Sequence, residues 1–415
     1  MKKMIFFIRH FNDFDHITPV IWSLLKTKKV KVYLILTDPF NEKFYKQNFR
    51  TKEIEKLGAK IIGFSDSNIR FKFLLPLVGT LYNFNKNFFK LDLITSKIGG
   101  VLIKFFFKKD FQENYLDNLI KDLVINKDCK ILVFDHMVDP IRKKIIYIAK
   151  ENKCKTISLP HGLVMYSYKK KWLNENKKKN VKALKIFDKV VFPNNLRNFY
   201  NIEKKILNKK FTYLGSPRFS EPWISFINKN LKKNFKKSKK KLKILFLVEK
   251  EFIYIKKKKH IVVDFLKQLE ILNFLKSQPN LSLEIKMNTR GLSQKQYILL
   301  KNKFKSNLSH EETSSLIFSS DAVICGGASS AILQSICMKV TTICCTYLHP
   351  EHSLYYKKFN FPIEIKSFQE LKKLFEKKEI FKKQKNEKNR LNFLNKITLY
   401  KQNPSNLHNQ FFLKI

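Results

Sequence analysis

Apolar residues in this chain recur in short runs, each followed by a stretch in which they return every three or four positions, so strand and helix signals alternate along most of its length. Met4–Ile8 reads as a strand and the polar segment Arg9–His16 as a loop. Thr18 and Pro19 then supply an N-cap and a proline at the first position of a helix running to Lys26. Val30–Leu36 reads as a strand, Glu42–Leu57 as a helix and Lys60–Gly63 as a strand. This β-α-β-α-β start predicts a parallel, doubly wound sheet. From Arg70 to Lys109 the pattern changes to apolar and basic stretches such as FKFLLPLVGTLYNF, none reaching the ~20 apolar residues of a spanning helix. They suit a segment lying at a bilayer interface, or an internal helical insertion. The alternation resumes with helices at 111–126 and 140–152, strands at 130–135, 156–159 and 188–192, a short helix at 195–200 and a strand at 211–214.

Asn228 to Lys243 is dense in lysine, lacks any acidic residue and has no sustained apolar period, which marks a solvated linker. A second series follows: strand Ile244–Val248, helix His260–Lys276, strand Leu281–Met287, helix Gln294–Lys305, short helix Glu311–Phe318, and C-terminal helices at 368–378 and 380–401. The expected architecture is α/β, two Rossmann-like parallel-sheet domains facing across a cleft. Residues 1–228 form the first, with an insertion at 70–127; residues 229–243 are the linker and 244–415 the second domain.

The most informative segment is Asp321–Cys345. Ala322–Cys325 reads as a buried strand, Gly326-Gly327 breaks it, Ser329 and Ser330 offer N-caps, and Ala331–Met338 reads as a helix leading to another buried strand. Open α/β sheets bind ligands where such turns leave the carboxyl ends of strands. Two glycines let the backbone approach an anion and two hydroxyls can donate to it. The same pattern also fits an ordinary Ser-capped connection.

Composition changes the picture only in part. Lys and Arg number 83 against 34 Asp and Glu, giving a net charge of +49. Arginine is scarce, while Asn, Ile and Phe are abundant and glycine is rare, a joint bias toward AT-rich codons. A basic surface still favours anionic membranes and anionic substrates, and no nucleic-acid partner is expected. The six cysteines form no CxxC pair and read as small core residues in a reducing compartment. Met1–Ile8 is too short for a signal-peptide core, so the expected location is cytoplasmic. No cofactor and no metal site are expected.

Candidate chemistry lies just after strands. His161, between Pro160 and Gly162, is placed to take a proton from a hydroxyl, or to brace a tight turn. His16 with Asp13 or Asp15 offers a second base, although these acids can equally cap the following helix. Asp135-His136 is a further pair of this kind. Where codons favour lysine, a retained arginine points to a planar bidentate donor or a salt bridge, which singles out Arg218, Arg290 and Arg9. Asn288 and Arg290 would face a diphosphate held at Gly326, Gly327, Ser329 and Ser330. Glu311 and Glu312 suit ribose hydroxyls or a helix start.

Pro160-His161-Gly162, Leu214-Gly215-Ser216-Pro217-Arg218 and SDAVICGGASSAILQSICMKVTTI together resemble the GT-B glycosyltransferase superfamily. Within it, they resemble the branch of CDP-glycerol glycerophosphotransferases and related surface-polysaccharide enzymes. The resemblance spans Thr156 to Thr346. It implies metal-independent transfer from a nucleotide-activated donor to a lipid-linked or polysaccharide acceptor at the inner membrane surface. His161 then matches the base, and Ser329-Ser330 the diphosphate contact. The family's His-Pro pair after the strand Leu281–Met287 is replaced by Asn288-Thr289-Arg290, which favours a sugar over glycerophosphate as the transferred group. The related UDP-N-acetylglucosamine 2-epimerases share the two-domain plan. Their Gly-x-Arg-Pro-Glu turn is replaced here by Ile8–Asn12, and Ala331–Ser335 lacks their paired glutamates.

Overall fold

Alternate residues of the first strand are buried on both sides, which is why it reads as an unbroken apolar run. Met4, Phe6 and Ile8 pack into one core, and Ile5 and Phe7 into another. The computed structural model describes residues 1–38, 41–63, 66, 117–136, 140–160, 166–167, 184–194, 210–232, 241–249, 251–255, 258–261, 263–287, 292–326, 329–349, 353–354, 361–376 and 386–415. The first sheet contains β1 (Lys2–Ile8), β2 (Val30–Leu36), β3 (Lys60–Ile62), β4 (Ile131–Asp135), β5 (Lys155–Leu159), β7 (Lys189–Phe192) and β8 (Phe211–Tyr213). Its order is β3-β2-β1-β4-β5-β7-β8, all parallel, and the order reverses between β1 and β4. The second sheet contains β9 (Leu242–Val248), β12 (Leu281–Met287), β13 (Ala322–Cys325), β14 (Thr341–Cys345) and β16 (Ile363–Ile365), parallel in the order β12-β9-β13-β14-β16, with its reversal between β9 and β13. Two short antiparallel pairs, β10 (Phe252–Ile255) with β11 (Lys258–Ile261) and β15 (Ser353–Leu354) with β6 (Tyr166–Ser167), complete the strands. The expected α/β architecture with two parallel sheets is thus present.

Numbered over these residues, the α-helices are α1 (Phe11–Lys26), α2 (Glu42–Gln47), α3 (Phe49–Lys56), α4 (Pro140–Glu151), α5 (Glu221–Lys232), α6 (Phe265–Ser277), α7 (Gln294–Phe304), α8 (Thr313–Ser319), α9 (Ala331–Cys337), α10 (Phe368–Glu376), α11 (Glu387–Thr398) and α12 (Pro404–Lys414). No described helix is long and apolar enough to cross a membrane. The stretch from Arg70 to Lys109 lies outside the described residues.

Several elements differ from the sequence reading, each for a physical reason. Helix α1 begins at Phe11 and carries Pro19 inside it, because Asp13 accepts the N–H groups of Arg9 (3.1 Å) and His10 (3.0 Å) and caps an earlier start. The segment 42–57 divides at Asn48, whose extended backbone and side-chain bond to Arg50 N restart the chain as α3. His260 belongs to the β10–β11 hairpin, and α6 starts only where Asp264 accepts from Leu266 N and Lys267 N. The lysine-rich stretch that reads as linker from Asn228 is helical to Lys232, since Ile227 and Leu231 complete a spacing begun at Trp223 and bury against the first sheet.

Helix α12 returns to the first half, although the sequence reading kept it with the second. Phe412 packs on Phe6 with ring centroids 5.9 Å apart, and Lys2 Nζ donates to Leu413 O at 2.5 Å. A fully buried side chain of this size contributes about 1.5–3 kcal/mol. The junction is tight at Gly215, whose φ is +74°; a Cβ there would lie 2.5 Å from Thr398 O. His408 seals this contact. Its Nε2 donates to Gly215 O at 3.4 Å, while Nδ1 is buried without a partner.

Burial pushes the His408 imidazole down to about 4, against a smaller opposing effect of the Gly215 carbonyl. The unfolded chain therefore binds the extra proton between pH 6.5 and 4, and stability is lost as pH falls through that window. Urea unfolding of wild type and His408→Gln across it should show a differential loss of about 3 kcal/mol in wild type. Parallel pH profiles for the two proteins would contradict this assignment.

Candidate functional site

In the second sheet the strand order reverses between β9 and β13, the place where open α/β sheets leave a crevice for ligands. Three strand ends meet there. Glu249 follows β9, Gly326 follows β13, and His349 follows β14 through the single 3-10 turn Thr346–Leu348. His349 Nε2 lies 2.8 Å from Glu249 Oε2, and the other carboxylate oxygen accepts Ser329 N–H at 3.2 Å. Glu249 is held from behind by Gln268, which accepts its N–H at 2.9 Å and donates to its carbonyl at 3.1 Å. Gly326 is required by this packing. A Cβ there would sit 2.5 Å from Glu249 Oε2 and 2.9 Å from His349 Nε2. Ser330 occupies the N-cap position of α9 without a side-chain cap bond, and it is Ser329 Oγ that accepts the first helical N–H, that of Ala331, at 3.2 Å.

A buried polar bridge joins the two halves beside this turn. From the first half come Asp15 and His16 on α1, Asn48 and Arg50 at α3, and Arg218 in the turn after β8. From the second come Glu312, Ser314 on α8 and Gln334 on α9. Arg50 pairs with Glu312 at close range and donates to Ser314 Oγ at 3.0 Å, and Asn48 donates to Glu312 at 3.3 Å. Arg218 pairs with Asp15 at 3.0 Å and reaches Gln334 Oε1 at 3.4 Å; Gln334 in turn donates to Ser314 Oγ at 2.7 Å. His16 Nε2 lies 3.2 Å from Arg218 Nη1. A guanidinium only donates, so this nitrogen is the acceptor. Burial pushes the Asp15 carboxyl up, against the pull of Arg218 and Arg50. Burial also acts to raise Glu312, but its pairing with Arg50 outweighs that and holds it below the ordinary range.

The carboxyl end of the first sheet is internally satisfied at its own reversal. Asp135, ending β4, and Asp13 both pair with Arg142 on α4, the former closely and the latter at 3.4 Å. Burial brings the Arg142 guanidinium down to about 10, with Asp13 opposing and Arg9 reinforcing. His136 Nε2 sits 3.0 Å from Val191 O, a backbone contact within the sheet.

The residues singled out by sequence thus separate. His16 and Arg218 meet in the bridge, Asp13 caps α1 and pairs with Arg142, and Gly326, Ser329 and Ser330 form the turn at the second-sheet reversal. The Glu311 side chain is exposed, and its neighbour Glu312 joins the bridge. His161, Gly327, Asn288 and Arg290 lie outside the described residues. The sequence reading passed over Glu249, His349, Gln334 and Arg50. Arg50 carried the same signal as Arg218, an arginine retained in a lysine-rich chain, whereas Glu249 and His349 are a hundred residues apart with nothing local to join them. Among the described residues no group of three or more His, Cys, Asp or Glu is placed to hold a metal ion, and all six cysteines are free and buried.

No family model matches the sequence, and no curated protein matches it. Solved structures do match over the full chain. The UDP-GlcNAc 2-epimerase from Neisseria meningitidis bound to UDP-GlcNAc aligns with a TM-score of 0.57 at 12% identity, covering 100% of both chains. The S. aureus MnaA–UDP structure aligns at 0.54 and 9% identity, covering 100% of this chain and 95% of the other. The wall teichoic acid polymerase TagF aligns at 0.51 and 11% identity, covering 99% and 88%. What these likenesses show is the fold, two parallel α/β sheets of GT-B type.

The bridge predicts an asymmetry in stability. Glu312→Leu leaves Arg50 buried without its closest partner and should cost about 3–5 kcal/mol in urea unfolding, whereas adding Arg50→Met should recover part of that loss. A single-variant cost below about 1 kcal/mol would contradict the pairing.

Proposed function

We propose that the protein transfers a glycosyl group from a nucleotide-activated donor to an acceptor hydroxyl in surface-polysaccharide assembly, without a metal, at the inner face of the cytoplasmic membrane. The supporting observation is the Gly326–Ser330 turn at the reversal of the second sheet, closed from behind by Glu249 and His349 and free of any Cβ at Gly326. In this reading the donor diphosphate lies against that turn, taking hydrogen bonds from the Ser329 and Ser330 hydroxyls. Asn288 and Arg290, which follow β12 in the chain, contribute further donors. The acceptor oxygen attacks the anomeric carbon, its proton passes to His161, and the bond to the nucleotide diphosphate breaks. Donors already aimed at the departing phosphate stabilise the charge that develops on it. Arg218 acts through position, because its guanidinium binds Asp15 and Gln334 and so fixes α9 beneath the turn. The predicted acceptor is lipid-linked or polymeric.

A second reading is a nucleotide-sugar 2-epimerase. It is favoured by the Glu249–His349 pair, an acid/base couple of the sort the sequence alone did not offer, and by the likeness to the N. meningitidis enzyme. Incubation with UDP-GlcNAc and no acceptor separates the two readings, since isomerisation there would displace transfer as the assignment.

Thermal-shift measurements with UDP-, CDP-, GDP- and CMP-linked sugars should find one class that stabilises the protein, by about 2.7 kcal/mol at a hundredfold excess over Kd. Gly326→Ala should remove that shift while the variant remains folded. No shift with any of the four classes would contradict the donor site. With the true donor and acceptor in hand, His161→Ala should lower kcat by at least about a hundredfold.

A further inference from the structure

Every strand of the seven-stranded sheet opens on lysine. Lys2, Lys60, Lys155 and Lys189 are the first residues of β1, β3, β5 and β7, while Lys29, Lys130 and Lys210 immediately precede β2, β4 and β8. Because all seven strands run the same way, these positions line one edge, a rim about 30 Å long at the ~4.8 Å spacing of strands. Lys28 and Lys153 extend it in the turns before β2 and β5. At the opposite edge the residues that directly follow the strands are Arg9, Thr37, Gly63, His136, Pro160, Pro193 and Leu214, without a lysine. A codon bias acts on both edges alike and does not produce this contrast.

Helix dipoles explain part of it. Helices returning along the sheet end at this rim, and Lys26 and Lys150 in their last turns complement them. The lysines on first strand positions lie outside those turns. The corresponding edge of the second sheet is mixed: Lys241 precedes β9, but Asp321 precedes β13, Asn280 β12, Val340 β14 and Pro362 β16.

Acidic groups offset part of the rim, and Asp122 lies close enough to Lys60 to feel its charge. Lys130 pairs with the exposed Asp128 at 2.8 Å, and one Asp188 oxygen accepts both Thr156 N–H and Thr156 Oγ1 at 2.8 Å. Lys155 donates to the terminal carboxylate of Ile415 at 2.9 Å, which offsets its charge, and Lys210 donates to the backbone carbonyl of Lys185 at 3.1 Å, which holds it in place with its charge intact. Between β5 and β7, Lys150, Lys153, Lys155 and Lys189 line a hollow of about 390 Å³ together with Asp188, Cys154 and the terminal Ile415, so that lysine outnumbers acid there.

We infer that this rim is the face on which the protein docks to an anionic phospholipid surface. Lysine is a compact, hydrated point charge suited to a diffuse field of headgroup phosphates, and the rim contains no arginine for bidentate capture of one particular phosphate. The inference deepens the membrane partner of the proposed transferase by naming the face involved. It also turns the carboxyl ends of the strands about 23 Å from the bilayer, the length of β1 at ~3.3 Å per residue. An acceptor anchored in that bilayer therefore has to be a chain long enough to reach round the domain.

The test is cosedimentation with phosphatidylcholine vesicles with and without phosphatidylglycerol at 0.1 M salt. At ~1 kcal/mol per lysine, the variant K28E/K60E/K130E/K153E should lose at least about a hundredfold in partitioning onto the anionic vesicles. The control K295E/K301E/K303E/K305E, which removes the same charge from exposed positions in and just after α7, should stay within about fivefold of wild type. Equal losses in the two variants would overturn the inference, as net charge and not this face would then bind. So would tight binding of soluble polyphosphate without binding to vesicles. Donor-induced thermal shift should be the same in wild type and the rim variant, so a failed donor assignment and a failed docking face give different results.

Discussion

Four charges held out of water between the two halves set the terms for the rest of the molecule. Asp15, Arg50 and Arg218 belong to the first half, and Glu312 to the second. The first half alone buries two guanidinium groups against one of these carboxylates. Buried charge has to be paired, and docking of Glu312 supplies the partner. The same bridge decides smaller matters. Arg218 meets His16, three residues before the proline, where α1 is already helical. Gln334, caught between Arg218 and Ser314, fixes α9 and with it the turn at Gly326 to Ser330.

Much of this was legible in the sequence where a pattern is local. The strand Leu281–Met287 is found at its predicted limits, and the βαβ unit around Gly326 stands as read. Local rules failed where a tertiary contact overrode them. Thr18-Pro19 looked like a helix start, but Asp13 capped an earlier one, and the burial of α1 in the first core offsets the hydrogen bond that its interior proline forgoes. The lysines after Asn228 looked like solvated linker because Ile227 and Leu231 are only two apolar positions, and the core they join, in which Trp22 packs on Trp223, is built from residues two hundred positions away. The Glu249–His349 pair was invisible for the same reason. It exists only because parallel strands bring distant loops to one edge.

The two edges of the first sheet now read as different surfaces. At its reversal the carboxyl edge carries charges paired around Arg142, and its amino edge carries a row of lysine that acidic groups offset only in part. The second sheet inverts the emphasis: its amino edge is mixed in charge, and its carboxyl edge is shaped around Gly326 by a buried acid and a histidine. In the proposed reading, donor binding and surface attraction use different edges of different sheets.

The most direct measurement is a crystal structure of the protein with a bound nucleotide sugar. The account predicts the diphosphate against the backbone from Gly326 to Ser330, within hydrogen-bond reach of Ser329 or Ser330 and next to Glu249 and His349. A ligand seated elsewhere, with that turn still closed over the Glu249 carboxylate, would contradict it.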